Sequence, residues 1–88
     1  MSECKPGMLV RSLAGHDKGS IYIILRVEDN HVILADGKYK TICRSKKKNR
    51  KHIQIICRQY DIAAMNDVEI KKTIKDYEME RGLGHVKS

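Results

Sequence analysis

The sequence predicts a mainly β fold: a small barrel of about five short strands followed by one C-terminal α-helix. Three observations lead there. The chain has 88 residues, room for one compact domain and little more. Its first two thirds break into short apolar runs rich in Ile and Val, separated by turn-forming residues. Its last third switches to a helical period. The core must be thin, because a domain of this size buries only about 60–65% of the surface its unfolded chain exposes. There is no Trp and no Phe, and four Tyr are the only aromatic residues. A core of small β-branched side chains suits a compact sheet better than a deep enclosed pocket.

Residues 7–13 form the first predicted strand and residues 20–27 the second, the clearest of the set. Glu28-Asp-Asn30 is a turn, and residues 31–35 are a third strand. Asp36-Gly37 follows, and Asp-Gly between apolar runs signals a tight hairpin because glycine accepts positive φ. Residues 38–43 then read as a fourth strand, with Lys38 and Lys40 on one face and Tyr39 on the other. Residues 51–57 are the fifth. Strands so closely spaced leave no room for the crossover helices of a parallel sheet, which favours a small barrel or rolled sheet.

The tail carries helix signals. Asn66 is a good N-cap, and Glu69 three residues later completes a capping-box pattern. Asp67 and Glu69 fall in the first turn, where the helix dipole favours acids. Ile70, Ile74 and Tyr77 recur at i, i+4 and i+7, on one helical face. The predicted helix spans residues 67–81, with Gly82 as its stop and residues 84–88 as a frayed end. The Ile/Tyr face is expected to cap an open end of the barrel; the alternative is a docking face for a partner protein. The expected division is a barrel over residues 1–60 and an amphipathic helix and tail, packed on it, over residues 61–88.

The formal charge is +7, from 18 basic and 11 acidic residues. Residues 1–60 hold thirteen basic and five acidic side chains, whereas residues 61–88 hold five and six. Such a bias in a small domain points to a polyanionic partner, nucleic acid or an anionic membrane surface. No stretch approaches the roughly 20 apolar residues of a spanning helix. The opening Met-Ser-Glu-Cys-Lys-Pro-Gly has neither an apolar signal region nor the Met-Gly of a myristoylated chain. The expectation is therefore a cytoplasmic protein that binds nucleic acid and no membrane. Cys4, Cys43 and Cys57 are odd in number and show no Cys-x-x-Cys spacing. Cys43 and Cys57 lie in apolar strand-like runs and are expected as reduced core residues, with a Cys43–Cys57 bridge as the alternative.

Arg44-Ser-Lys-Lys-Lys-Asn-Arg-Lys-His52 holds six fixed positive charges and a histidine, interrupted by neither acidic nor apolar residues. Crowding like charges costs free energy, which a polyanion removes while releasing its condensed counterions. The expectation is a basic loop that docks on a phosphate backbone. Lysines mostly act as point charges on phosphates, and such contacts position without specifying sequence. Recognition of a folded RNA shape is expected, since nothing resembles paired aromatics on a stacking platform. The candidate RNA contacts of this run and of the strand before it are Lys38, Lys40, Arg44, Lys46, Lys47, Lys48, Asn49, Arg50, Lys51 and His52. A solvated loop that only aids solubility, or a nuclear-import patch, are the plainer accounts of the same run.

Enzyme constellations are scarce. No Gly-rich phosphate loop, paired carboxylates or nucleophile motif is present. His16, His31, His52 and His85 show no metal spacing. The chain is expected to be non-enzymatic, with no catalytic residues, no metal and no cofactor.

Gly7-Met-Leu-Val-Arg-Ser-Leu-Ala-Gly15, then His-Asp-Lys-Gly19, then Ser-Ile-Tyr-Ile-Ile-Leu-Arg-Val27, and later Ala35-Asp-Gly37, resembles the KOW motif. More specifically it resembles the small KOW proteins of the large ribosomal subunit and their short stand-alone bacterial-type relatives. The likeness covers roughly residues 6–56; the C-terminal helix and the dense basic run lie outside the motif. It implies an SH3-like β-barrel and RNA binding, commonly on ribosomal RNA of the large subunit. It also implies a role for the loop at residues 14–19, where Gly15 matches the family's invariant glycine and Lys18, near the tip, is a further candidate RNA contact. Gly15 and Gly19 would serve there as turn residues or let the backbone approach a phosphate. Two other functions fit the same features: a KOW module of the transcription-elongation kind, and a protein-interaction module using the Ile70/Ile74/Tyr77 face.

Overall fold

Alternating apolar side chains build a five-stranded antiparallel sheet within residues 4–80, the part of the chain that the computed structural model describes (for Cys57, the backbone alone). The strands are β1 (Met8–Ser12), β2 (Ile21–Val27), β3 (His31–Ala35), β4 (Lys46–Asn49) and β5 (Ile53–Gln59), followed by the helix α1 (Asp67–Glu80). In the sheet they run in the order β4-β3-β2-β1-β5. The two edge strands, β4 and β5, are consecutive in the chain and joined only by the 3₁₀ turn Arg50–His52. So short a link holds opposite edges of the sheet together and forces it to curl. The result is a half-barrel with one C-terminal helix, the arrangement of a small SH3-like barrel.

The curl creates two cores. Inside the barrel lie Val10, Tyr22, Ile24, Val32, Leu34 and Ile53. On the outer face Leu9, Ile21, Ile23 and Ala35 pack against Ile70, Ile74 and Tyr77 of α1. Neighbours along β1 and β2 thus go to opposite sides, the period of two that a pleated strand imposes. Both sides of β2 are covered, which is why Ile21-Tyr-Ile-Ile is an unbroken apolar run. A bulge follows, since Ile24 pairs with Leu34 but Arg26 with Ile33. The extra residue turns Val27 to the inner core and leaves Arg26 exposed.

Several expectations need correction. Residues 38–43 form no strand, and Asp36-Gly37 no tight hairpin. Asp36 Oδ1 instead accepts the backbone N–H groups of Lys38, Tyr39 and Lys40 at 2.9, 2.9 and 2.8 Å, so one carboxylate satisfies the donors a partner strand would have taken. Gly37, at φ +76°, lies so close to α1 that a β-carbon there would sit 2.7 Å from the Lys71 nitrogen. The backbone N–H of Ile42 donates to Asp67 Oδ1 at 2.8 Å. The 36–45 segment is therefore a loop seated on the helix N-terminus. The fourth strand is Lys46–Asn49, the middle of the basic run, which pairs with β3 from His31↔Asn49 to Leu34↔Lys46. The fifth begins at Ile53 rather than residue 51, because Asn49 Oδ1 accepts the Lys51 N–H at 3.0 Å and caps the intervening 3₁₀ turn.

The helix does not cap an open end of the barrel; it covers the outer face of the sheet. Ile70, Ile74 and Tyr77 are buried there, so this chain's own core fills the face that a partner protein would have used. The capping box forms in both directions: Glu69 N–H donates to Asn66 Oδ1 at 2.9 Å, and Asn66 N–H to Glu69 Oε1 at 3.2 Å. Cys43 is an exposed, free thiol, because its segment is turn and not strand. The expected helix end at Arg81, the stop at Gly82, the tail at 84–88, His85 and the Cys57 side chain lie outside the described residues. Among the described residues, no helix is long and apolar enough to cross a membrane.

Candidate nucleic-acid interface

The 13–20 segment between β1 and β2 is the starting point, because its folding places a carboxylate against the basic run. Gly15 and Gly19 adopt φ of +88° and +94°, and nothing crowds Gly19, so these glycines turn the chain. The turn is closed by Gly19 N–H to Ser12 O at 2.8 Å and Ser20 N–H to Asp17 O at 2.9 Å. Asp17 thereby faces inward, toward the rim of the barrel.

Register brings lysines to meet it. Lys46 stands opposite Leu34 and Lys48 opposite Val32, both inner-face residues, so alternate lysines of the run point to the inner side. Lys46 Nζ donates to Asp17 Oδ2 at 2.6 Å, and Lys48 Nζ to Asp17 Oδ1 at 3.3 Å and to Ala14 O at 3.0 Å. Ser12 Oγ lies 2.9 Å from Oδ1, and Tyr22 donates its hydroxyl to Oδ2 at 2.8 Å. The side chains of Asp17 and Lys48 are only 14% and 10% exposed. Burial alone would raise the Asp17 carboxyl, but the hydrogen bonds from Lys46, Tyr22, Ser12 and Lys48 outweigh it and hold the group well below the usual carboxylate range. The Tyr22 phenol is pushed up, by burial first and then by its bond to the Asp17 anion. One carboxylate thus clamps the glycine loop to β4.

The middle lysine goes the other way. Lys47, opposite Ile33, pairs with Glu28 at 3.4 Å, and Arg26 reaches the same carboxylate at 3.5 Å. The hydrogen bond and charge of Lys47, and then Arg26, lower the Glu28 carboxyl. Arg50 Nη1 donates to Asp29 O at 3.1 Å, and its N–H to Asn30 O at 2.9 Å. The nine-residue run is therefore not a single free cluster: Lys46 and Lys48 serve the clamp, Lys47 and Arg50 brace the β2–β3 turn, and Asn49 caps the 3₁₀ turn.

The exposed cations that pair with no carboxylate of the described residues lie in the loops and in the 3₁₀ turn. Arg44, Lys51 and His52 are exposed, and among the described residues they make no ion pair. Leu13 N–H donates to His52 O at 2.9 Å, which sets the 13–20 loop, with exposed His16 and Lys18, beside the 3₁₀ turn. The 36–45 loop leaves the sheet where the 13–20 loop enters it, since Ala35 pairs with Ile23 near the start of β2. It displays Lys38, Lys40 and Arg44. Among the described residues, no group of three or more His, Cys, Asp or Glu is placed to hold a metal.

Asp17 and Tyr22 are the residues that sequence reasoning missed. An acid in a strongly basic half will attract cations, but which lysines it meets depends on a register between strands far apart in the chain. No family model matches the chain, and no curated protein matches it significantly.

Proposed function

We propose that this protein is a non-enzymatic, cytoplasmic RNA-binding protein of the translation apparatus that takes structured, ribosomal RNA on the surface formed by the 13–20 loop, the 36–45 loop and the 3₁₀ turn. The observation that carries this reading is the set of exposed cations there, Lys18, Lys38, Lys40, Arg44 and Lys51, which no carboxylate of the described residues neutralises. Phosphates would supply the missing counter-charge, and counterion release would drive association. The glycine loop is already held rigid by Asp17, so little ordering cost remains to be met on binding. The likeness of residues 6–56 to the small KOW proteins of the large ribosomal subunit supports ribosomal RNA as the target class.

The test is a titration of a structured ribosomal RNA fragment at several salt concentrations. Neutralising about five phosphates gives a slope of log affinity against log salt near −3.5 to −4.5. Arg44→Ala and Lys51→Ala are expected to weaken binding to many RNAs alike and to reduce that slope by about 1 each. A flat salt response overturns the reading.

A further inference from the structure

A cleft of about 570 Å³ opens between the 36–45 loop, the start of β2 and the flank of α1. That is the size range in which small ligands are held. Its floor includes Ile74, and its walls carry Lys38, Tyr39, Lys71, Lys75 and Glu78. Tyr39 is 75% exposed, whereas Tyr22 and Tyr77 are buried. The ring is displayed by construction: Asp36 Oδ1 holds the N–H groups of residues 38–40 and fixes the backbone beneath it. The Lys38 ammonium lies 4.9 Å from the ring centroid. Lys71 and Lys75 make no ion pair among the described residues, although the Asp36 and Glu78 carboxylates line the same cleft. Glu78 is half-buried, and burial pushes its carboxyl up.

An exposed aromatic ring and three lysine ammonium groups, which make no ion pair among the described residues, outnumber the Asp36 and Glu78 carboxylates around this concave site and match one chemistry: a planar heterocycle attached to a phosphate. We propose that the cleft takes a single unpaired nucleotide of the bound RNA, its base stacked on Tyr39 and its phosphate met by Lys38, Lys71 and Lys75. This rests on the RNA-binding reading above and extends it from backbone contacts to one extruded base. Stacking tolerates any base, because every base has a π-face. The cleft therefore reads the presence of a bulge in a folded RNA rather than its sequence.

The test compares two RNA hairpins that differ only by one bulged adenosine. Each is titrated at one salt concentration against the full chain, Tyr39→Ala, Tyr39→Phe and the Lys71→Ala/Lys75→Ala double variant. The bulged hairpin is expected to bind about tenfold more tightly to the parent protein. Tyr39→Ala is expected to erase that preference while leaving the plain hairpin's affinity unchanged, Tyr39→Phe to keep it, and the lysine variant to shrink it. The exposure of Tyr39 means that its variants should melt like the parent, which circular dichroism checks. With no Trp in the chain, tyrosine emission gives a second signal: the bulged RNA should quench it, and Tyr39→Ala should remove that quenching. Equal affinity of the parent for both hairpins, or an equal loss for both on Tyr39→Ala, overturns the inference and leaves the RNA-binding reading standing. Binding of neither hairpin overturns that reading and this inference with it.

Discussion

Asp17 organises the basic end of the molecule. Both of its oxygens are occupied, by Lys46 and Tyr22 on one side and by Lys48 and Ser12 on the other. Asp17→Ala would leave the Lys46 ammonium and the Tyr22 phenol at the barrel rim without their acceptor and Lys48 with Ala14 O alone, and stability should fall by about 1–3 kcal/mol. Thermal or urea melts measure this. Acid should have a related effect. The unfolded chain's carboxyl titrates at about 3.8, whereas the native one is held far lower, so the native state takes up its proton later. The stabilisation is complete above about pH 4 and is lost as the pH falls from there through the native value. Melting temperature in Asp17→Asn should therefore decline less steeply between neutral pH and strong acid than in the parent. The lysines divide accordingly. Lys48→Ala should destabilise the fold, while Lys51→Ala should stay within about 0.5 kcal/mol of the parent.

Among the elements, the 36–45 loop and the start of α1 stabilise one another. Gly37 combines a left-handed φ with a close approach to Lys71, so a β-branched residue there meets both backbone strain and a clash. Gly37→Val should cost at least about 1–3 kcal/mol, read in the same melts. The backbone of the loop is fixed by the Asp36 carboxylate, so Asp36→Ala should loosen residues 38–40, visible as faster amide exchange there than in β2. At the helix, Asn66→Ala removes one half of the reciprocal cap and should cost about 1 kcal/mol.

At the scale of the whole molecule, barrel and helix are one cooperative unit. The outer face of β1, β2 and β3 presents Leu9, Ile21, Ile23 and Ala35, and α1 buries them with Ile70, Ile74 and Tyr77, while Ile56, Tyr60, Ile62 and Met65 pack at the margin. Ile70 is fully buried, and Ile70→Ala should cost about 2–5 kcal/mol. Deleting residues 66–88 bares that whole face, and the shortened chain is expected to lose its cooperative melting transition. Persistence of a sharp transition in the truncated chain would show that the barrel stands alone. A domain with so little core has no reserve to absorb the loss of half of it.

Much of the fold was legible along the chain because its rules are local there. The unbroken apolar run at residues 21–24 marked β2, the Asn66/Glu69 pair marked the helix start, and the i, i+4, i+7 spacing of Ile70, Ile74 and Tyr77 marked the buried face. The candidate site was legible only as a region. Arg44, Lys51 and His52 of the one-signed run are exposed, as is Lys18 in the loop that the KOW resemblance singles out, but the lysines in the middle of the run form a strand and not the loop their charge suggests. Three consecutive lysines have poor strand preference, and an edge that already offers hydrogen-bonding groups can still recruit them. Conversely, residues 38–43 had the composition of a strand, and the Asp36 carboxylate took their backbone donors first.

By itself, then, the sequence determined the strand-rich first two thirds, the capped helix and a net charge suited to a polyanion, since each follows from neighbours within a few residues. Tertiary structure alone decided which segment became β4, which face the helix covers, and which lysines Asp17 neutralises. Those outcomes depend on pairing between groups about thirty residues apart, such as Asp17 with Lys46 and Lys48, and a pleated strand that shifts by one residue exchanges every inward side chain for an outward one.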